Sequence, residues 1–256
     1  MIIEYHRPKT QDEVLTLLSR KDPHTVVIGG GLYLNEIVQD PVAVVDLQAL
    51  DLNGIELKGK EFRLGASTTL QSILDHDKIP LSLVEAIRHQ ETYNRRQVAT
   101  IAGSIVAGNG RSAVLCVLLA LDGEIVLQGT KKTSERIYLG DFLPIRQELL
   151  TGKLITEVIL PNISKTAYFY SARSPADLPI VAAAAARWPS GRTRVVLAGY
   201  GRQPRMVFDG PVSQGAEIAA RDAYSDAADQ WASAEYRSDT AAVLVLRCLD
   251  QISDKD

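Results

Sequence analysis

Two glycine-bearing turns in the first half of the chain limit most strongly what this sequence can fold into. One lies at residues 26–33, where three consecutive glycines follow an apolar, β-branched run. The other lies at residues 100–109, where Gly103 and Gly108 stand among β-branched and small polar residues. Each pattern predicts a strand that opens into a turn, because glycine lets another backbone or a ligand approach closely. Two such turns predict one site that holds a phosphate-bearing ligand from both sides.

The composition is typical of an ordinary globular protein. The 256 residues are 46% hydrophobic and 23% charged, which is enough to bury a sizeable core in two or three compact units. The formal net charge of -3, with Lys and Arg scattered singly, predicts neither a nucleic-acid nor an anionic-lipid partner. No apolar stretch reaches the roughly 20 residues that span a bilayer. The N-terminus lacks a signal-peptide pattern, so we expect a cytoplasmic protein.

Cysteine and histidine are too few and too dispersed for a metal centre. Cys116 and Cys248 lie far apart in apolar helical patterns, where buried free thiols are expected, and two thiolates do not hold an iron–sulfur cluster alone. Without metal-ligand spacing, structural or solvated roles are expected for His6, His24, His76 and His89. The sequence predicts no metal ligand and no catalytic acid–base pair or nucleophilic triad.

Hydrophobic periodicity predicts that residues 1–52 form a small β-α-β unit. A capping box at residues 10–13 precedes apolar residues at helical spacing, which indicates a short amphipathic helix. Strands are predicted at residues 25–28 and 42–47, which are rich in β-branched residues. The first glycine turn therefore lies between the two strands.

Residues 53–161 are predicted to form a second subdomain, which contains the second glycine turn. Apolar and polar residues alternate at 55–66 around a Lys-Gly-Lys-Glu turn, which is a hairpin pattern. A helix that starts at Ser112 is apolar on most faces, so we expect it to be buried. An Asp-Gly pair ends this helix before a strand at residues 124–127.

Residues 162–256 are predicted to form a third domain with a three-stranded antiparallel sheet and helices. The strands are expected at residues 168–173, 180–188 and 194–200, and the helices at residues 216–231 and 239–252. Five consecutive alanines at residues 182–186 have a high helix propensity. We nevertheless predict a strand of small residues beneath a closely packed helix.

The first glycine turn does not match a standard nucleotide-binding fingerprint. Leu34 breaks the G-x-G-x-x-G pattern, and the turn lacks the lysine of a P-loop. Its backbone N–H groups can still bind a diphosphate without a cationic side chain, and a tight turn without a ligand is the alternative. At the second turn, Thr100, Ser104 and Asn109 add short polar side chains, which favours a phosphorylated or polyhydroxylated ligand.

Short motifs follow one another along nearly the whole chain. Asn-Arg at 94–95 and Thr-Ile-Ala-Gly-Ser at 100–104 precede Leu-Leu-Ala-Leu-Asp-Gly-Glu-Ile-Val-Leu at 118–127. The others are Tyr-His-Arg-Pro at 5–8, Ile-Gly-Gly-Gly at 28–31, Arg-Leu-Gly-Ala-Ser-Thr-Thr at 63–69, Leu-Ile-Thr-Glu-Val at 154–158 and Ser-Ala-Glu-Tyr-Arg at 233–237. In this order the chain resembles the FAD-binding (medium) subunits of the molybdenum hydroxylase family, which includes carbon monoxide dehydrogenase medium subunits and xanthine dehydrogenase FAD-binding subunits.

The resemblance implies an α+β fold with two FAD-binding subdomains and a C-terminal domain of the carbon monoxide dehydrogenase flavoprotein type. FAD would lie extended between the two subdomains, with its diphosphate over the two glycine loops and its isoalloxazine ring near the C-terminal domain. Electrons would pass from a molybdopterin large subunit and a [2Fe-2S] small subunit through FAD to NAD or another acceptor. The cofactor would supply the chemistry, and the chain would position it.

The resemblance assigns FAD contacts to the two loops and to two later positions. The first loop supplies Val27, Ile28, Gly29, Gly30, Gly31, Leu32, Tyr33 and Leu34. The second supplies Thr100, Ile101, Ala102, Gly103, Ser104, Gly108 and Asn109, and the later positions are Ile155 and Tyr170.

Several positions depart from the family pattern. Polar or glycine residues of the family are replaced, or an expected aspartate or lysine is missing, at Leu32, Ala102, Ser104, Ala113 and Tyr170. Each lost hydrogen bond weakens binding by about 0.5–1.5 kcal/mol, while backbone contacts to the diphosphate are kept. The alternative is therefore a non-catalytic interaction subunit of the same complex that has weakened or lost FAD binding. A free-standing flavin reductase or oxidase is a third hypothesis, without a catalytic residue to support it.

Overall fold

A computed structural model describes residues 1–34, 41–130 and 133–253. The chain has the mixed α+β architecture that the sequence predicts, and its elements form two compact units. The first unit comprises Met1–His76, Tyr93–Ala107 and Gly123–Leu160, and the second comprises Asp77–Thr92, Gly108–Asp122 and Pro161–Asp256. The division into regions 1–52, 53–161 and 162–256 stays a prediction. In the described part of the chain, no helix combines the length and the apolar character needed to cross a membrane.

The strands of the described ranges form three sheets. They are β1 (Ile2–His6), β2 (Thr25–Ile28), β3 (Val42–Asp46), β4 (Ile55–Lys58), β5 (Glu61–Gly65), β6 (Glu124–Gln128), β7 (Ser134–Tyr138), β8 (Leu154–Pro161), β9 (Lys165–Ser171), β10 (Val181–Arg187), β11 (Thr193–Ala198) and β12 (Arg205–Gly210). The sheet orders are β1-β3-β2, β4-β5-β8-β6-β7 and β12-β11-β10-β9.

The helices of the same ranges are mostly short. They are α1 (Gln11–Leu18), α2 (Leu70–Leu74), α3 (Leu81–Gln90), α4 (Tyr93–Arg96), α5 (Ile101–Ala107), α6 (Ala113–Ala120), α7 (Leu139–Phe142), α8 (Arg146–Leu149), α9 (Ala216–Ala223) and α10 (Ala234–Ile252). A 3₁₀ turn, Leu143–Ile145, connects α7 to α8.

The three-stranded parallel sheet carries the first glycine loop at the end of β2. The predicted capping box is confirmed, since the Thr10 hydroxyl accepts a hydrogen bond from the Glu13 amide at 3.3 Å and the Glu13 carboxylate accepts one from the Lys9 amide at 2.9 Å. Val14 and Leu15 of α1 are buried in the core of this unit. The predicted strands are β2 and β3 and the predicted helix is α1, while β1 is a further strand at the edge of the sheet. The β-α-β subdomain of residues 1–52 stays a prediction.

The five-stranded sheet contains the predicted hairpin and the predicted strand after α6. β4 and β5 pair antiparallel, and Gly59 turns between them with a φ of 62°, in the left-handed region that glycine adopts without strain. β8 lies in the middle of the sheet, and six of its eight residues are buried. The edge strand β7 was not predicted, because its Ser-Glu-Arg-Ile-Tyr sequence is mostly polar and exposed.

The sheet of the second unit has four strands where three were predicted. The additional strand, β12, pairs antiparallel with β11 at the edge of the sheet, and none of its residues is buried. The alanine run is a strand, β10, as predicted. Ala183 and Ala185 belong to a core shared with Val245 and Cys248 of α10. Because the side chains of β10 are small, both α6 and α10 can pack against it.

The two C-terminal helices differ in extent from the prediction. α9 ends eight residues earlier than expected, and α10 begins five residues earlier. Between them the Asp229 carboxylate accepts hydrogen bonds from the amides of Trp231 and Ala232, at 2.8 and 3.2 Å, which forms a turn. The Ser233 hydroxyl then caps α10 by accepting a hydrogen bond from the Tyr236 amide at 3.2 Å. The Ser233 cap, and not the hydrophobic pattern, therefore sets the start of α10.

We expect Ala183→Leu to lower the free energy of unfolding by about 1–3 kcal/mol, because the larger side chain overpacks the core between β10 and α10. Equilibrium urea denaturation followed by circular dichroism measures the change. Met206→Leu, at a half-exposed position of the edge strand β12, is the matched control and should stay within about 0.5 kcal/mol of the wild type. Equal stability of the two variants would contradict the close packing of this strand.

Candidate functional site

A cavity of about 800 Å³ lies within the first unit. Its wall is formed by the α1–β2 turn, by β2 with the first glycine loop, by residues 98–107, which include most of α5, and by residues 147–155. Leu18, Leu47 and Leu150 contribute apolar side chains. The volume lies in the range of pockets that bury small molecules and cofactors.

The cavity brings together most of the residues that sequence analysis assigns to FAD. Those that line it are Val27, Ile28, Gly29, Gly30, Gly31, Leu32, Tyr33, Leu34, Thr100, Ala102, Gly103 and Ile155. Ile101 and Ser104 belong to the same unit but are buried in its interior, while Gly108, Asn109 and Tyr170 belong to the second unit. The role of each residue in FAD binding stays a prediction.

Close packing requires glycine in the first loop. A Cβ atom on Gly30 would lie 1.6 Å from the Val98 carbonyl oxygen, and one on Gly29 would lie 2.7 Å from the Thr100 hydroxyl oxygen. Gly31 has a φ of 74°, a conformation that other residues adopt only with strain. The glycines therefore allow the first loop to pack directly on the segment that leads into α5.

The backbone of the first loop is available to a ligand. Among residues 1–34, 41–130 and 133–253, none of the amides of Gly29, Gly30 and Gly31 donates a hydrogen bond. Unpaired backbone N–H groups need a partner, and several in succession form a concave site for an anion. This loop therefore offers backbone donors of the kind that bind a phosphate group, and its role in diphosphate binding stays a prediction.

The second predicted turn is instead the start of a helix. Residues 101–107 form α5, so the expectation of a strand that opens into a turn is wrong at this position. Thr100 caps the helix, because its hydroxyl oxygen accepts a hydrogen bond from the Gly103 amide at 3.1 Å. A β-branched residue thus acts through its hydroxyl as a helix cap.

The first amides of α5 are engaged within the unit. The amides of Ile101 and Ala102 donate to backbone carbonyls of the segment after β5, at 2.9 and 3.2 Å. Ser104 is 1% exposed, and its hydroxyl donates to the Thr100 carbonyl at 3.0 Å. The small residues Ala102 and Gly103 therefore line the cavity. The start of α5 has fewer free amides for an anion than the first glycine loop, because its amides donate within the unit.

Sequence analysis missed Ser67 as a residue of the cavity wall. Its hydroxyl oxygen is buried and has no hydrogen-bond partner in the described chain. A buried hydroxyl without a partner is costly, and a polar atom of a bound ligand would supply one. The available signal was its position inside the Arg-Leu-Gly-Ala-Ser-Thr-Thr motif, directly after the β4–β5 hairpin.

The electrostatics of the wall favour an anionic ligand. No carboxylate lines the cavity among the residues that the structure describes, whereas Arg20 and Lys21 do. The Arg20 guanidinium donates to the Glu4 carboxylate at 2.7 Å and to the Thr25 hydroxyl at 2.8 Å, which fixes its position. The hydrogen bonds from His6 and Arg20 lower the pKa of the Glu4 carboxyl.

These features fit FAD. The unpaired amides of the first loop suit the diphosphate, and the apolar wall around Leu47 and Ile155 suits a flat aromatic ring. The Ser67 hydroxyl lacks a partner that a hydroxyl or phosphate of the cofactor would supply.

Tyr170, the predicted FAD residue of the second unit, is stacked on His89. The two ring centroids lie 3.5 Å apart, with 16° between the ring planes. Because His89 Nε2 lies 3.0 Å from the Asp177 carbonyl oxygen, this nitrogen carries the proton, and Nδ1 accepts a hydrogen bond from the Tyr168 hydroxyl at 2.8 Å. Burial lowers the pKa of His89, so its ring is neutral. His89 therefore has a structural role, as predicted.

Comparison with known proteins identifies relatives of the chain. Residues 1–163 match the family described as the FAD binding domain in molybdopterin dehydrogenase. The uncharacterized protein YgfM of Escherichia coli K12 is 31% identical over 212 residues, which cover 82% of this chain and 79% of YgfM. The carbon monoxide dehydrogenase medium chain of Hydrogenophaga pseudoflava is 24% identical, with 96% of each chain covered.

A solved structure shares the fold. The structure of carbon monoxide dehydrogenase from Hydrogenophaga pseudoflava matches with a TM-score of 0.84 at 21% identity, over 98% of this chain and 97% of the other. The chain therefore has the mixed α+β fold of this carbon monoxide dehydrogenase structure, as the resemblance implied.

We expect the free energy of unfolding to decrease between about pH 7 and pH 5 through His89. The folded chain keeps His89 neutral, whereas the unfolded chain binds a proton near the ordinary pKa of about 6.5. The contribution of His89 to the free energy of unfolding is therefore constant above about pH 6.5 and is lost as the pH falls below this value. Urea denaturation at the two pH values measures the loss, which His89→Gln should reduce because glutamine does not titrate.

His24→Gln, at an exposed histidine, is the matched control for the replacement of a histidine by glutamine. If the stability of His89→Gln depended on pH as strongly as that of the wild type, the conclusion that His89 is buried and neutral would be wrong.

Proposed function

Because the chain belongs to the family of FAD-binding domains in molybdopterin dehydrogenases, we propose that it transfers electrons within a multi-subunit oxidoreductase. It is an FAD-binding subunit of the molybdenum hydroxylase family. One relative is the medium chain of carbon monoxide dehydrogenase, which supports a role beside other chains.

In this proposal a large molybdopterin subunit oxidises the organic substrate, and a small [2Fe-2S] subunit delivers the electrons to this chain. FAD supplies two-electron redox chemistry when bound, and NAD or another acceptor takes the electrons. The clusters are assigned to another chain because two cysteines cannot ligate one. A cytoplasmic location of the complex stays a prediction.

The observation that carries the proposal is a row of amides, at residues 29–31, that have no partner among the described residues and belong to residues lining a cofactor-sized cavity. We assign the amides of residues 29–31 to the FAD diphosphate and the apolar wall at Ile155 to an aromatic ring of the cofactor. The Ser67 hydroxyl would donate to a polar atom of the cofactor. These groups bind and orient FAD, and none of them takes part in a chemical step.

One observation favours the alternative, a subunit of the same complex that has weakened or lost FAD binding. The first amides of α5 donate within the unit, so the diphosphate receives amides from the first loop alone. Leu32 and Ala102 add no polar side chain. Under this hypothesis the purified chain is colourless and still associates with a molybdopterin subunit.

We expect the purified chain, after incubation with FAD, to bind it stoichiometrically and to absorb near 450 nm, with bleaching by dithionite. Gly30→Ala should weaken FAD binding by about tenfold or more, because the added Cβ displaces the loop that carries the unpaired amides. Fluorescence quenching during an FAD titration measures the dissociation constant.

Gly191→Ala is the matched control for general destabilisation. Gly191 has a φ of 88° with open space around its Cα, so the substitution strains a turn of the second unit without touching the cavity. It should bind FAD as the wild type does. A wild-type chain that stays colourless would eliminate the FAD proposal and leave the interaction subunit.

We expect electron transfer to require the partner chains. The chain purified together with its molybdopterin and [2Fe-2S] subunits should show flavin reduction by the substrate of the complex, and the chain alone should show none. Stopped-flow absorbance at 450 nm, with NADH formation at 340 nm, follows both steps. Steady turnover by the isolated chain would contradict the proposal and favour a free-standing flavin enzyme.

A further inference from the structure

Four segments gather at one end of the β9–β12 sheet in the second unit, and we refer to them as the loop end. They are residues 108–111, 171–180, 199–205 and 229–237. Backbone hydrogen bonds join two of them, from the Gly110 amide to the Gly201 carbonyl at 3.2 Å and from the Gly199 amide to the Gly110 carbonyl at 2.7 Å. The loop end contains five arginines and three carboxylates, although the net charge of the chain is -3. It is therefore a cationic surface on an acidic protein.

A buried arginine holds the loop end in one arrangement. Arg237 is 0% exposed, and its guanidinium donates to the carbonyls of Ile180 and Gly199 and, at 2.7 Å, to the Asp229 carboxylate. A buried charge persists only when it is paired and hydrogen-bonded, so Arg237 ties three of the segments together. A surface that is fixed in this way loses little conformational entropy when a partner binds.

An exposed tryptophan lies among the arginines of the loop end. The Trp231 indole is 38% exposed, and the guanidinium groups of Arg111 and Arg173 lie 4.8 and 5.1 Å from its ring centroid. Leu178 and Tyr236 add further exposed apolar surface. Exposed Trp and Tyr beside Arg are the residues that dominate binding energy in protein interfaces.

The loop end carries positive charge that the chain does not neutralise. Arg173 and Arg202 are exposed, and neither pairs with a carboxylate anywhere in the described ranges. Burial and then the charge of Arg237 lower the pKa of the Arg111 guanidinium and Arg173 lowers it further, while Asp229 and Asp177 oppose the shift only in part. A carboxylate from outside the chain would relieve this repulsion between arginines.

We propose that the loop end docks an acidic surface of a partner protein, with Trp231 as the apolar anchor and Arg111, Arg173 and Arg202 as the contacts to its carboxylates. An isolated tryptophan surrounded by arginines fits a protein interface better than nucleic acid, which requires a longer track of cations along its backbone. The partner is an associated subunit if the proposed function holds, and to that extent this inference rests on it.

Fluorescence anisotropy with a labelled decaglutamate peptide tests the surface on the full-length chain. At low salt we expect binding, which should weaken by about tenfold or more in Arg173→Glu combined with Arg202→Glu, because attraction becomes repulsion. Trp231→Ala should weaken binding less strongly and should not change its dependence on salt. Arg247→Glu, at an exposed arginine of α10 outside the loop end, is the matched control and should change the affinity less than about twofold.

Two further probes distinguish the classes of partner. Single-stranded DNA and phosphatidylserine vesicles are measured in the same assay at the same salt concentration. Tighter binding of either probe than of the peptide would overturn the assignment to a protein partner. The proposal that the loop end binds an acidic partner would be wrong if the wild type did not bind the peptide. It would also be wrong if the double variant and the Arg247→Glu control bound the peptide equally well.

The FAD content of each variant is determined separately from absorbance near 450 nm. A double variant that keeps the wild-type flavin content and loses the peptide supports the docking surface. A wild-type chain that binds the peptide but no FAD would contradict the flavin assignment and leave the docking surface supported. The two proposals therefore fail independently.

Discussion

The cavity of the first unit depends on direct packing between the Gly30 backbone and the Val98 carbonyl. A Cβ atom at position 30 would fall inside this carbonyl oxygen, so only glycine allows the end of β2 to meet the segment before α5. The contact is made by a carbonyl against a Cα, and the neighbouring amides have no partner within residues 1–34, 41–130 and 133–253. The same contact therefore shapes the cavity wall and leaves hydrogen-bond donors in it.

The relative strength of backbone and side-chain contacts favours retention of FAD. A hydrogen bond from an amide to a charged oxygen contributes about 1.5–3 kcal/mol, and three amides of the first loop are available. Each neutral side-chain hydrogen bond lost at positions such as Leu32 and Ala102 costs about 0.5–1.5 kcal/mol. The remaining backbone donors thus offset the missing side chains, even though α5 keeps its own first amides within the unit.

Elements whose hydrophobic pattern and turn chemistry agree are predictable from the sequence. The β4–β5 hairpin and the alanine strand β10 are confirmed, the latter because small residues suit a position between packed helices. α5 was wrongly predicted as a turn, since Thr100, Ile101, Ile105 and Val106 are β-branched and Gly103 lies among them. Its helix depends on the Thr100 cap and on carbonyls of the segment after β5, about 30 residues away in sequence, which no local pattern reveals. Ser67 was missed although it lies inside a motif, because the burial of its hydroxyl without a partner becomes visible only in the fold.

The two units use the same close approach of a glycine to a carbonyl and reach different results. In the second unit, a Cβ on Gly199 would lie 2.1 Å from the Ile180 carbonyl oxygen, which also excludes any residue but glycine, although the contact is less tight than the 1.6 Å at Gly30. There the Gly199 amide donates to the Gly110 carbonyl, and Arg237 donates to the carbonyls of Ile180 and Gly199, so the polar groups of the contact are satisfied within the chain. In the first unit, no acceptor among the described residues takes a hydrogen bond from the amides of Gly29, Gly30 and Gly31. Glycine at a close contact is therefore a structural requirement in both units, and unpaired amides beside it are the feature that distinguishes a ligand site from a packed turn.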